Sequence, residues 1–200
     1  MTEYRKLQQE GKVRYVVISS SNADGVRALK GHGDLVAIMV GHDMMSPIKR
    51  ETLQLAEEEN LGVVILGALA SGFLSGRWFG KVSDIDPLDK RYDSFTSSAA
   101  VAALRKLKEL EFLTAGGGRA MAQAAVRFVL DTPGVTSVLN GALRPGEIEQ
   151  TVGALDVPPL TGDERSRALA IAAEANKLWV SGSAEVVSGG TFARATGGGN

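Results

Sequence analysis

The segment that most restricts the fold is residues 10–24, EGKVRYVVISSSNAD. Its core, Tyr15-Val16-Val17-Ile18, is apolar without a break, which is typical of a parallel strand covered on both faces. Tyr15 is therefore expected in the core. Ser19-Ser20-Ser21-Asn22 follows the carboxyl end of this strand, where α/β folds place their ligand-binding groups. The pattern predicts an interior strand whose cover on one side comes from later in the chain or from another molecule.

Three further β-rich runs follow, so that strands are predicted at residues 13–19, 35–40, 62–66 and 135–139. Helical patterns lie between and after them, and such alternation predicts a parallel sheet with right-handed crossovers. Residues 1–180 form one predicted α/β domain, and the glycine-rich residues 181–200 are predicted to be a disordered tail. Four strands in about 180 residues amount to about half of an eight-stranded (β/α) barrel.

Helix boundaries are predicted from capping residues and apolar spacing. Pro47, after Ser46, indicates a helix running to about Asn60. A capping box, Thr161-Gly162-Asp163-Glu164, predicts another helix through about Leu178. Two more helices are indicated by apolar residues at helical spacing: Val101, Leu104, Leu107 and Leu110 in one, Ala122, Ala125, Val126 and Val129 in the other.

The composition argues against several classes of function. Lys and Arg number 22 against 23 Asp and Glu, so no net field attracts nucleic acid or an anionic membrane. The absence of cysteine excludes disulfides, thiolate metal sites and cysteine nucleophiles. The charged first residues do not resemble a signal peptide, and no apolar stretch has the length of a membrane span. A cytoplasmic setting is expected.

Other clusters have a chemical and a structural interpretation. His42-Asp43 suggests a metal ligand pair or an acid–base pair, but a stable metal site needs three or four ligands, so no metal is expected; the other histidine is His32. Gly116-Gly117-Gly118-Arg119 is either a phosphate cradle or, as we expect, a flexible linker between helices. The cluster Arg105-Lys106-Lys108 is expected on a solvated helix face, and Trp78 and Trp179 are expected to pack.

Several blocks resemble the aldo-keto reductase family. EGKVRYVVISSSNAD is similar to the family's EGKVRYIGVSNFSAE, and LGVVILGALASGFLSGRW is similar to GVLAYSPLxxGxLTGKY. DPLDKRYDSF continues the likeness, and PGVTSVLNGALRPGEIEQTVGALDVPPLT resembles PGVTSVIPGARNPEQLEENLAALDVPLT. The order and spacing agree from about residue 3 to 170. The resemblance implies strands five to eight of a (β/α) barrel, and a family chemistry of NADPH-dependent carbonyl reduction.

The resemblance also identifies what this sequence does not contain. The family's catalytic tyrosine, aspartate, lysine and histidine lie on its first four strands, and no residue here matches them. Hydride transfer to a carbonyl needs a proton donor beside the developing alkoxide. Tyr4, Tyr15 and Tyr92 are the three tyrosines, and none has a matching context. The expectation is therefore an oxidoreductase by family that is not catalytic by itself.

The cofactor-facing positions are partly retained. By resemblance, the pair that holds the nicotinamide carboxamide is Ser19-Ser20, while the glutamine of that site matches Met39 and the stacking aromatic matches Leu66. The position at the 2′-phosphate matches Leu143. NADPH is a possible cofactor, with weakened binding, and the sequence does not specify whether it still binds. The cofactor-binding residues that the resemblance implies are Ser19, Ser20, Leu69, Ser71, Gly72, Arg91, Gly141 and Arg144.

A half-barrel exposes two strand edges and an apolar interior, and such edges recruit partners. We expect this chain to pair with itself, or with a homologous half or full barrel. Three interpretations stay open at this point: a reductase active only when a partner supplies the missing residues, a non-catalytic binding or regulatory subunit, and a truncated remnant. The substrate is not specified by the sequence.

Overall fold

The computed structural model describes residues 2–31 and 35–187, with the backbone alone described for Thr2 and for residues 181–187. It contains a four-stranded, wholly parallel sheet in the order β1-β2-β3-β4. The predicted α/β class and the half-barrel order of strands are confirmed. His32 and the last part of the glycine-rich tail lie outside the described residues. The strands are β1 Val16–Ile18, β2 Leu35–Gly41, β3 Gly62–Leu66 and β4 Ser137–Leu139.

Helices precede, separate and follow the strands. The α-helices are α1 Thr2–Gln9, α2 Ala23–Lys30, α3 Arg50–Glu58, α4 Tyr92–Thr96, α5 Ser98–Leu107, α6 Met121–Leu130, α7 Pro145–Val152 and α8 Gly162–Val187. Short 3-10 segments lie at Ala70–Ser75, Val82–Asp84, Lys108–Leu113 and Gly153–Leu155. Within the described part of the chain, no helix is long and apolar enough to cross a membrane.

The two faces of the sheet differ in burial. Ile38 pairs in register with Val63, and Val40 pairs with Ile65, so these side chains share the face that the helices cover. Ile38, Val63 and Ile65 are at most 1% exposed. The opposite, concave face carries Val17, Ala37, Met39, Val64, Leu66 and Leu139. Val17 and Leu139, at its two ends, are 43% and 48% exposed.

The prediction that β1 is a fully buried interior strand is wrong. Tyr15 is 64% exposed and does not pack in the core. The physical reason is position: β1 is at the edge of the described sheet, has three residues, and pairs with β2 alone. The register also shifts between Val16 and Val17. An apolar run therefore lies at an open edge.

The main core lies between the sheet and a layer of helices. Helix α5 packs along α8, and seven of the ten residues of α6 are buried, including the predicted Ala122, Ala125, Val126 and Val129. Trp78 is 4% exposed and packs edge-on to Phe95, and Trp179 packs edge-on to Phe73. Both tryptophans thus pack, as predicted.

Two helix starts show the value of capping contacts. At α8, Thr161 Oγ1 accepts from Glu164 N (3.1 Å) and Glu164 Oε2 accepts from Thr161 N (2.8 Å), which confirms the predicted capping box. Helix α8 continues to Val187, beyond the predicted end near Leu178. Helix α3 begins at Arg50, three residues after Pro47, because the preceding turn is held by Asp43 Oδ1, which accepts from the backbone N–H groups of residues 45 and 46.

Candidate functional site

The candidate site lies at the carboxyl ends of the four strands, where parallel sheets collect their loops at one edge. An open cleft of about 310 Å³ lies between the ends of β1 and β2. It brings Ser19 and Ser20 together with Met39, as the sequence resemblance implies. Its other lining residues are Ser21, Val40, Gly41, Ser46, Pro47, Ile48, Lys49 and Thr52.

The loop after β1 is organised by short-range hydrogen bonds. Ser20 Oγ accepts from Asn22 N at 3.1 Å, and Asn22 Oδ1 accepts from Gly25 N at 2.7 Å, which caps α2. Ser19 is exposed at the strand end. The loop therefore presents Ser19 to solvent while Ser20 is held against the start of α2.

The loop after β3 has an unusual backbone. Ala70, Ser71 and Gly72 have φ values of 47°, 57° and 108°. Leu69 O accepts from both Gly72 N (2.8 Å) and Leu74 N (3.1 Å), which closes this turn. The φ angle of Gly72 favours glycine, and a Cβ there would also make a tight contact, 3.0 Å from Arg91 Nη1. The turn thus brings Ser71, Gly72 and Arg91 together.

Arg91 is held in place by three hydrogen bonds. Its Nε and Nη2 donate to the two oxygens of Asp89 at 3.0 and 2.7 Å, and Nη1 donates to Ser71 O at 3.1 Å. The Arg91 hydrogen bond, the largest cause, lowers the pKa of Asp89 to about 2. A guanidinium has five N–H donors, so two remain for a ligand. Arg91 therefore stabilises the loop after β3 and has two N–H donors beyond these three bonds.

The loop after β4 leads into α7. Gly141 and Arg144 are exposed, and Arg144 is the N-cap residue of α7. Glu147 Oε2 accepts from Leu143 N at 2.8 Å, and this bond is the largest cause of the lowered pKa of Glu147. Leu143 itself is 88% exposed. Gly141 and Arg144 are not part of the β1–β2 cleft.

The sequence motifs did not identify Arg77 as a candidate site residue. Its charge acts on both Asp89 and Glu147 and contributes to the lowered pKa of each, so it lies near the loops after β3 and β4. It is exposed, with its guanidinium 4.7 Å from the centroid of the Trp78 ring. The alignment contained a signal for a basic residue at this position, because Arg77 in SGRW aligns with the lysine in the family's TGKY. Lys49 and Thr52, in the cleft, had no such signal.

His42 belongs to the interior and not to the site. It is 2% exposed, and burial, with a further effect of the Arg165 charge, lowers its pKa to about 4. Asp43 faces its own turn, and burial raises its pKa. In the described part of the chain, no three His, Cys, Asp or Glu residues form a group that could hold a metal ion. Neither His42 nor Asp43 lines the β1–β2 cleft.

The glycine-rich segment 116–119 and the basic segment 105–108 also have structural roles. Residues 116–118 link the 3-10 segment Lys108–Leu113 to α6, and Arg119 donates to Leu113 O at 2.8 Å and pairs with Glu164. Lys106, predicted on a solvated face, pairs with Glu109 at 2.9 Å and with Glu174 of α8 at 2.7 Å. Lys106 thus joins α5 to α8.

Comparison with known proteins agrees with this architecture. An uncharacterized oxidoreductase, YqkF, of Bacillus subtilis is 25% identical over 80% of this chain and 51% of its own length. A probable voltage-gated potassium channel β subunit of Oryza sativa is 32% identical over 58% of this chain and 37% of its own length. This chain thus spans about half the length, or less, of these relatives.

Solved structures show the same relation. The glycerol dehydrogenase AKR11B4 of Gluconobacter oxydans matches with a TM-score of 0.70 and 27% identity, over 86% of this chain and 53% of that one. The holo form of the aldo-keto reductase AKR11C1 of Bacillus halodurans matches with a TM-score of 0.59 and 26% identity, over 84% and 53%. The sequence model of the Aldo/keto reductase family matches residues 1–172. This chain therefore belongs to the aldo-keto reductase family.

Proposed function

We propose that this chain forms the nucleotide-binding half of an aldo-keto reductase site, and that it supports carbonyl reduction only together with a polypeptide that supplies the proton donor. The observation that carries the proposal is the loop Ala70–Gly72, whose left-handed backbone is held by a hydrogen bond from Arg91 to Ser71 O. A strained loop of this kind persists where the surrounding structure holds it, and such loops are frequent at binding sites.

The residues present fit part of NADPH. Two arginines, Arg77 and Arg91, lie near the β3 and β4 loops and complement phosphate groups. Ser19 and Ser20 offer hydroxyls in the β1–β2 cleft, suited to an amide group such as the nicotinamide carboxamide. Met39 in that cleft offers only a weak thioether acceptor. We therefore propose binding through the phosphates, with a loosened hold on the nicotinamide.

Among the described residues, no tyrosine lies at this cleft to act as the family's proton donor. Tyr4 and Tyr15 are 46% and 64% exposed, Tyr92 lies on α4, and none of them lines the cleft. NADPH, when bound, supplies hydride, and this chain would bind and orient it. A cytoplasmic setting belongs to this proposal, since the chain has no cysteine for an oxidising compartment to cross-link.

Titration of NADPH with the purified chain tests the proposal. Nucleotide fluorescence should change and saturate with a stoichiometry of one nucleotide per chain, with a dissociation constant below about 1 mM. Arg77→Leu should weaken binding at least about tenfold, because it removes a charge from the proposed phosphate site. Arg167→Leu is the matched control, because Arg167 is also exposed and also lies over an aromatic ring, that of Phe112. The absence of saturable binding would refute the proposal.

A second candidate is a non-catalytic regulatory subunit. The similarity to a probable potassium channel β subunit and the replacement of polar and aromatic site residues by Met39 and Leu66 favour it. The two candidates differ in one measurement. A reductase half should gain aldehyde-dependent NADPH oxidation when the first half of a family member is added. A regulatory subunit should bind nucleotide and show no oxidation in that mixture.

A further inference from the structure

We propose that two copies of this chain associate head to tail, with α7 and the β4 edge of each copy against α1 and the β1 edge of the other. This inference goes beyond the proposed function, because it concerns the two edges of the half-barrel and requires no nucleotide. Three separate properties of the described residues support it: an exposed apolar stripe, two complementary strand edges, and opposite charges.

The apolar stripe lies on α7 and the turn after it. Ile148, Val152 and Leu155 are 56%, 61% and 64% exposed. Their spacing of four and three residues places them on one helix face. No residue of α7 is buried, whereas α6 buries seven of its ten residues. A continuous apolar helix face of this kind indicates an interaction surface.

The strand edges carry the second argument. β1 and β4 are at opposite edges of a parallel sheet, so β1 of a second copy can pair with β4 in the same direction. Val17 and Leu139, near these edges on the concave face, are 43% and 48% exposed. If each copy offers both edges, a two-fold axis closes the contact into a ring of eight strands, the number of a complete (β/α) barrel.

The charges carry the third argument. Residues 145–156, the α7 side, contain Glu147, Glu149 and Asp156 and no basic residue. Residues 3–14, the α1 side, contain four basic residues against two acidic ones. On α1, Tyr4 is 46% exposed beside Arg5 and Lys6, so this segment offers both an apolar and a cationic surface. A basic apolar segment facing an acidic apolar one gives the complementarity that selects a partner.

A second copy is the partner that this chemistry specifies. Each copy carries the acidic α7 side at one edge and the basic α1 side at the other. Two identical molecules can therefore cover both surfaces of each other. A two-fold arrangement then forms the same contact twice, and no acidic or basic edge is left exposed. This arrangement also covers the open end of β1, where Tyr15 lies 64% exposed.

Sedimentation equilibrium of the whole chain, without nucleotide, tests the inference by charge reversal. The wild-type chain should be a dimer at about 10 μM, the micromolar range typical of moderate affinity. Glu149→Arg should raise the dimer dissociation constant at least about tenfold by placing like charges across the contact, and Arg5→Glu should do the same. The two chains mixed, or the double variant, should restore wild-type association. Glu111→Arg, at an exposed position of the Lys108–Leu113 segment, is the control that should change nothing.

Three results would each contradict the proposed dimer. A wild-type monomer at 100 μM would overturn the inference, and so would a dimer that both reversals leave unchanged, or a weakening that the double variant does not restore. Far-UV circular dichroism establishes that each variant is folded, since all three positions are surface charges. If a variant nonetheless unfolds, Ile148→Ser takes its place, with the same expected tenfold weakening. The result does not depend on nucleotide binding, so it can fail while the proposed function stands.

Discussion

His42 Nε2 lies 2.9 Å from Thr132 Oγ1, and this buried contact joins the end of β2 to the end of α6. His42 Nδ1 accepts from Ile48 N at 3.1 Å, so the ring proton is on Nε2 and is donated to Thr132. Thr132 Oγ1 also accepts from Arg165 Nη2 at 2.8 Å and donates to Phe128 O at 3.2 Å. The Thr132 hydroxyl thus accepts two hydrogen bonds and donates one, and through Arg165 it also connects α8 to β2 and α6.

Stability should fall as the pH falls from about 6.5 toward 4, because of His42. Its folded pKa of about 4 lies below the ordinary 6.5, so the unfolded chain binds the proton more readily. The stabilisation is fully present above pH 6.5 and is lost on approach to pH 4, by up to about 3 kcal/mol. Urea unfolding at pH 7.5, 6 and 4.5 measures it. His42→Gln should show a much smaller pH dependence, and equal slopes for both proteins would contradict the assignment.

Thr132→Val should destabilise the fold by about 2–3 kcal/mol, because buried donors on His42 and Arg165 lose their acceptor. Thr132→Ser keeps the hydroxyl and should lose less than half of that amount. The free energy of unfolding in urea at pH 7.5 is the measurement. Similar losses for Val and Ser would indicate that the methyl group, and not the hydrogen bonds, provides the stability.

Gly72→Ala should lower the stability by about 1–3 kcal/mol and weaken NADPH binding. The residue has φ 108° and its new Cβ would lie 3.0 Å from Arg91 Nη1. Gly118→Ala is the matched control, since φ there is not positive and nothing lies within 4 Å of the added Cβ. Thermal unfolding and nucleotide titration give the two readouts. A Gly72→Ala protein as stable as the control would show that this loop tolerates change.

Thr161→Ala should cost about 1 kcal/mol by removing the side chain that caps α8. The effect is expected in urea unfolding at neutral pH. Ser94→Ala, an exposed hydroxyl on α4, provides the comparison and should be neutral. A neutral Thr161→Ala would mean that the pair Arg119–Glu164 holds this helix start without the cap.

Met39→Gln should strengthen nicotinamide nucleotide binding about fivefold, equivalent to about one hydrogen bond of 1 kcal/mol. Met39 lines the cleft beside Ser19 and Ser20, and glutamine adds an amide that donates and accepts. Met39→Leu, which keeps the size and adds no polar group, is the control. Fluorescence titration with NADPH compares the three proteins, and unchanged affinity for Gln would place the nicotinamide outside this cleft.

The local patterns of the sequence predicted much of the fold. The capping box at Thr161, the buried face of α6 and the runs at Leu35 and Gly62 depend on neighbours within a few residues, and all appear in the structure. The start of α3 was predicted too early, because a side-chain turn at Asp43 holds the segment after Pro47 outside the helix.

The candidate site was predicted only in part. The resemblance assigned Ser19, Ser20 and the Met39 position to the nicotinamide site, and these three residues line one cleft. It did not predict that Arg91 donates to Ser71 O. It could not predict that Asp89 occupies two donors of Arg91. The sequence argued against a metal at His42, but it did not predict the buried contact of His42 with Thr132.

The sequence by itself determined the family, the order of the four strands and the cap of α8, because these depend on residue types and short spacings. The tertiary structure alone decided that Tyr15 is exposed, that His42 is buried against Thr132, and that Ile148 faces away from the core. Those outcomes depend on which distant segments cover a given side chain. A run of apolar residues predicts a strand, but its burial is decided by the neighbours that the fold brings to each edge and face.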